Sequence, residues 1–195
     1  MITIDTTSAP IFSATFAGLA FVFSLISLVL NFRFNRRSKQ ADIQVGFHNR
    51  FDGLQVERAK LLCRSASDAP STEDHQAKIF FDRFWSLQFD QYVAWQHRYV
   101  SDDLYRFWVF ARWRQLQHPT PDWNLNGLTV QSTFEEIQRK WAREPSRGAG
   151  HPSLVNGFLS MFDELKGLTK EDEVHRLIAK NSRSLWPELD APYPA

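Results

Sequence analysis

Between Thr6 and Phe32 the chain carries no charge, and the run from Ile11 to Leu30 consists of apolar and small residues alone. About 20 residues rising roughly 1.5 Å each cover about 30 Å, the thickness of a bilayer's hydrocarbon core. Nothing in that medium can hydrogen-bond the backbone, so a lone span must be a helix. Pro10 suits the first turn of such a helix, where a missing N–H costs nothing. The sequence therefore predicts one transmembrane helix over residues 10–34.

Charge sets the expected orientation. Only Asp5 and the terminal amine precede the span, whereas Arg33, Arg36, Arg37 and Lys39 follow it. Positive residues stay on the cytoplasmic side, so residues 1–9 form a short extracytoplasmic N-terminus and the remainder lies inside. A cleaved signal peptide would need a basic start, a shorter apolar stretch and a small-residue cleavage site. Met1 to Ala9 holds no Lys or Arg, which favours an anchor. The four cations also form a membrane-interface anchor for lipid headgroups, helped by Phe32 and Phe34.

Small and polar residues recur along the span at Ser13, Ala17, Ala20, Ser24, Ser27 and Asn31, spaced alternately by four and three. A period near 3.5 is that of left-handed helix pairs. Lipid supplies no hydrophobic drive for helices to associate, so close packing and interhelical hydrogen bonds must do it. The seam predicts a partner helix, either a second copy or another protein's, although small residues are common in any membrane helix. Ala14 and Gly18 add a small-xxx-small pair beside it.

Beyond the flank, residues 35–186 read as a cytoplasmic, helical-bundle-like domain, followed by a proline-rich tail, 187–195. Apolar residues at Ile43, Phe47, Phe51, Leu54, Leu61 and Leu62 predict a helix over Ala41 to Arg64, either continuous with the span or broken at Gly46 or Gly53. Ser65 to Asp74 reads as a loop. His75 to Val100 is apolar over so wide an arc, from Phe80 to Tyr99, that its helix is expected at the domain's centre. Ser101 offers an N-cap and Asp102 and Asp103 a first turn for a helix to about Gln117, making an antiparallel hairpin. Ser132 and Glu135 suggest a capping box for a helix to Arg143, Pro152 opens another, and Thr169 with Asp172 starts the last. With 17 Phe and 7 Trp, such a domain has enough bulky apolar surface to fill a core. No strand pair is evident, so the fold class is all-α, one N-terminal transmembrane helix plus this domain.

Chemistry is sparse. A net charge of +1 draws no nucleic acid. There is no Gly-x-Ser-x-Gly, no Gly-x-Gly-x-x-Gly and no phosphate loop. Cys63, the one cysteine, beside Arg64, is expected to be buried and inert rather than nucleophilic. Asp172 and His175, with Glu171, are spaced like half of a bundle metal site, and His48 and Asp52 are one turn apart; neither has a second half, so no metal is expected. Asp82 and Asp90 interrupt the aromatic helix, and with Arg98 and Arg106 they are candidates for a buried structural ion pair between the hairpin helices. No catalytic residue and no cofactor follow from any of this.

The exit Asn35-Arg36-Arg37-Ser38, the Phe-and-Arg helix from Phe47 to Arg64, the run Phe84-Trp85-Ser86-Leu87-Gln88-Phe89 and the run from Val100 to Trp108 resemble a family of short bacterial membrane-anchored helical proteins with no assigned function. The resemblance spans roughly residues 10–118 and implies a bacterial plasma (inner) membrane setting; it brings no activity and no functional residues. The resulting expectation is a non-enzymatic interaction protein, an accessory or scaffold subunit of a membrane complex, whose partners are membrane lipids and a protein met through the transmembrane helix. The alternative is a membrane-tethered effector or enzyme with a polar cleft converging on Asp90, His97 or the arginines.

Overall fold

The structure is a computed structural model that describes residues 9–64, 70–118, 123–143 and 152–184. Among the described residues six helices follow in order: α1 Ala9–Arg64, α2 Pro70–Gln96, α3 Asp102–Gln117, α4 Val130–Arg143, α5 Pro152–Gly167 and α6 Glu171–Ser184. The described residues contain no strand, only an isolated bridge between Leu125 and Leu128. The chain divides into two units, one ending at Asp42 and the other beginning at Ile43, with α1 contributing to both. Of the two readings of Gly46 and Gly53, the continuous one holds: α1 is unbroken through both.

In the first unit α1 is long and apolar enough to cross a membrane, and none of its apolar window is buried. Phe32 and Phe34 are each 73% exposed, and the apolar residues from Leu19 to Leu30 are likewise uncovered.

In the second unit α2 is central, as its wide apolar arc predicts. Phe80, Phe81, Phe84, Trp85, Leu87, Phe89, Tyr92 and Trp95 are all buried, against α3, α4 and α5. Several of α2's ring contacts are edge-on: Trp85 meets Phe162 at 5.7 Å and 89°, and Phe89 meets Phe158 at 5.5 Å and 80°. This is the geometry that ring quadrupoles favour. Trp95 instead stacks on Tyr105 at 4.2 Å. The indoles still need acceptors: Trp85 Nε1 donates to Thr133 Oγ1 at 3.1 Å, Trp95 Nε1 to Asp102 at 2.7 Å, and Trp113 Nε1 to the Leu168 carbonyl at 2.9 Å.

Helix ends explain most boundary shifts. α2 starts at Pro70, inside the stretch expected to be a loop, because proline is preorganised for a first helical position. It ends in a reversal without glycine. Tyr99 N–H donates to the Ala94 carbonyl, Arg98 N–H donates to the Trp95 carbonyl, and Arg98 stands at φ 61. That is a Schellman motif with arginine at its left-handed position. Ser101 caps α3 by accepting from Leu104 N–H, as expected. The box at α4 lies three residues upstream of the expected one: Thr129 Oγ1 accepts from Ser132 N–H and Ser132 Oγ from Thr129 N–H. Glu135 is turned to Lys166 instead, at 3.2 Å. At α6 the carboxylate is Glu173, not Asp172, accepting from both Thr169 and Lys170 N–H. The third helical position is the one that reaches back to the cap.

The irregular stretch before α4 holds a tight reversal. Asn126 and Gly127 both have positive φ, 51° and 79°, and Leu125 and Leu128 exchange two hydrogen bonds. This is a type I′ turn, whose two left-handed positions suit Asn-Gly. It seats Trp123 and Leu125 in the core. The loop at 144–150 and the tail 187–195 lie outside the described residues.

Candidate functional site

Of the seam, Ala20, Ser24, Ser27 and Asn31 are described and all are exposed; the side chains of Ser13 and Ala17 lie outside the described residues. Ser24 Oγ donates to the Ala20 carbonyl at 2.8 Å, so its proton is used within its own helix. Among the anchor cations Arg33, Arg37 and Lys39 are exposed, and the side chain of Arg36 is outside the described residues.

Of the ion-pair candidates, Asp82, Asp90 and Arg106 are paired with partners other than those expected, and at the surface. Asp82 meets Lys140 of α4 at 2.9 Å, and Asp90 meets Arg50 of α1 at 2.7 Å. Arg106 turns to Asp103 on its own helix at 3.3 Å, and Arg98 occupies the reversal after α2. Neither aspartate is buried, because α2 presents both on its outer edge while its rings fill the core. Cys63 is exposed rather than buried, since α1 turns it away from the apolar stripe of Phe47, Phe51 and Leu54. His48 and Asp52 do meet, at 3.4 Å, on an exposed surface. His175 packs on the Phe110 ring at 4.9 Å. No group of three His, Cys, Asp or Glu among the described residues is placed to hold a metal.

The domain's charged centre is one that sequence reasoning missed. Arg112 of α3 is 5% exposed. Its guanidinium lies 4.8 Å from the Phe84 ring, 5.5 Å from Phe51 and 5.6 Å from Trp123. Trp123 also carries Arg58 at 4.6 Å. Arg112 Nη1 donates to Gln115 Oε1 at 2.8 Å, while Nε has no partner. No carboxylate among the described residues pairs with it. Burial pulls its pKa down to about 9, so it is still cationic at neutral pH. The signal was in the spacing: Tyr105, Val109, Arg112 and Leu116 recur at four, three and four, which puts a cation in the helix's buried stripe.

Two clefts flank the domain part of α1. One, of about 600 Å³, lies between α1 and α2; its Arg50, Glu57, Asp82 and Arg83 are all engaged in ion pairs. The other, about 460 Å³, lies between α1 and α3, with apolar walls and Arg112 on its lining. Asp90, held by Arg50, does not open into it.

Compared with family models, with curated proteins and with solved structures, the chain matches none. The resemblance carried by its aromatic runs therefore adds no activity, and any function must be argued from the geometry.

Proposed function

We propose that this chain is a single-pass, membrane-anchored helical interaction protein of a bacterial plasma membrane, an accessory or scaffold subunit whose domain lies in the cytoplasm. The observation that carries this reading is the uncovered apolar stretch of α1, from Leu19 to Phe32, followed by Arg33, Arg37 and Lys39. Side chains so apolar and so exposed need lipid or another helix around them. The exposed face of Ala20, Ser24, Ser27 and Asn31 supports a helix partner, since small residues let backbones approach closely.

Gentle extraction from native membranes, followed by size determination and identification of co-purifying chains, tests the reading. A defined assembly that charged substitutions at Ala17 and Ala20 disperse supports it. A monomer indifferent to those substitutions refutes the partner helix. The single, exposed Cys63 tests orientation separately. A membrane-impermeant maleimide is expected to label it in inverted vesicles and to leave it unmodified in right-side-out ones.

A further inference from the structure

The cleft between α1 and α3 joins two features that are seldom found together. Its walls are apolar, formed by Phe47, Phe51, Leu104 and Trp108, with Phe107 69% exposed beside them. Its lining also includes the buried Arg112, whose Nε lacks a hydrogen-bond partner and which no described carboxylate neutralises. At about 460 Å³ the cleft falls within the roughly 300–1,000 Å³ of small-molecule sites. The one carboxylate on its lining, Asp52, is well exposed and is held by His48.

We propose that this cleft binds a single-chain anionic amphiphile, a fatty-acid-type carboxylate, with its tail along the aromatic walls and its head towards Arg112. The planar guanidinium fork matches a carboxylate. Nη1 is engaged by Gln115, which leaves the edge carrying Nε to meet it. The three rings around the guanidinium temper its charge without providing a hydrogen-bond acceptor in their planes, so a buried donor remains for a ligand. This inference does not depend on how the apolar part of α1 is covered.

The test uses the full-length chain in lipid nanodiscs, a diazirine-bearing dodecanoate and peptide mapping of the adducts after irradiation. Adducts are expected on peptides containing Phe47 to Phe51 and Leu104 to Ala111. A charge-assisted hydrogen bond should make dodecanoate compete at least about tenfold better than dodecanol. From octanoate to decanoate, competition should strengthen about fourfold per methylene. Arg112→Met should erase the preference for dodecanoate over dodecanol. Adducts confined to residues 18–34, which would report partition into the bilayer, overturn the proposal. So does equal competition by dodecanol, or a preference that survives Arg112→Met. Should Arg112→Met lose its helical circular dichroism, Phe107→Glu replaces it, because its side chain is exposed and carries no core packing. That variant should reduce cleft labelling with the helical signal intact; unchanged labelling would refute the site.

Discussion

Arg98 holds the left-handed position of the reversal between α2 and α3, at φ 61. For a residue with a Cβ that conformation costs roughly 1–2 kcal/mol, because Cβ crowds the following carbonyl. Arg98→Gly removes the clash, but a glycine loses more freedom on folding, by about 0.5–1 kcal/mol. On the backbone terms alone the difference is a net stabilisation of about 0.5–1 kcal/mol, since the two hydrogen bonds of the motif, from Tyr99 and Arg98 N–H, are backbone bonds and stay. For a domain of this size that is roughly 2–4 °C per kcal/mol in melting temperature. Urea unfolding of the full chain in mild detergent, followed by tryptophan fluorescence, reads it as a raised midpoint at unchanged slope. Arg98→Ala is the control: it keeps the backbone penalty and drops the long side chain, so its difference from Arg98→Gly isolates the strain. If Arg98→Gly is no more stable than Arg98→Ala, the left-handed position carries no penalty and the reasoning fails.

Three further outcomes follow from the core and its turns. Gly127→Ala meets no neighbour within 4 Å but must hold φ +79, so it is expected to lower stability by about 1 kcal/mol or more through the backbone alone, measured as a urea midpoint. Thr133→Val strips the acceptor from buried Trp85 Nε1 and should cost about 1–3 kcal/mol, with a shift in tryptophan emission; a neutral result would mean that bond is not made. Tyr92 Oη is buried without a partner, and burial pushes its pKa up to about 12. Its folded pKa is thus above the unfolded value of about 10, so its contribution is full below pH 10 and is lost as pH rises towards 12. Tyr92→Phe should be neutral or stabilising at pH 7 and should weaken the alkaline loss between pH 10 and 12; an unchanged alkaline limb would count against that assignment.

How far the sequence reached depended on what each residue's position had to satisfy locally. The apolar run, the aromatic stripe of α2 and the Ser101 cap were legible, because period and composition state them directly. The caps of α4 and α6 were misplaced, by three residues and by one. Several Ser, Thr and acidic side chains there could each serve, and the choice depends on where the helix packs, as when Lys166 claims Glu135. Asp82 and Asp90 were read as a buried pair with the arginines of the hairpin, whereas they meet Lys140 and Arg50 at the surface, 58 and 40 residues away and beyond any local rule. The reversal at Arg98 left no trace, since no glycine marks it. The turn at Asn126-Gly127 was not read either; its type I′ geometry seats Trp123 in the core.

Arg112 is where stability and function can be told apart. Removing an ion from water costs several kcal/mol even after relaxation. Rings at 4.8–5.6 Å return up to about 2 kcal/mol each when desolvated, and one hydrogen bond to Gln115 adds to that. The two sides roughly balance, so this cation is tolerated by the fold rather than required by it. An apolar side chain of similar length would fill the same space with no desolvation cost, and such replacements are often neutral or stabilising. Arg112→Met should therefore keep or raise the urea midpoint while Trp123 and Phe84 stay packed. A fall of about 2 kcal/mol or more would instead make the cation a structural clamp between α1, α3 and the Trp123 turn. If stability holds and the charge preference of the cleft disappears, the arginine belongs to the ligand.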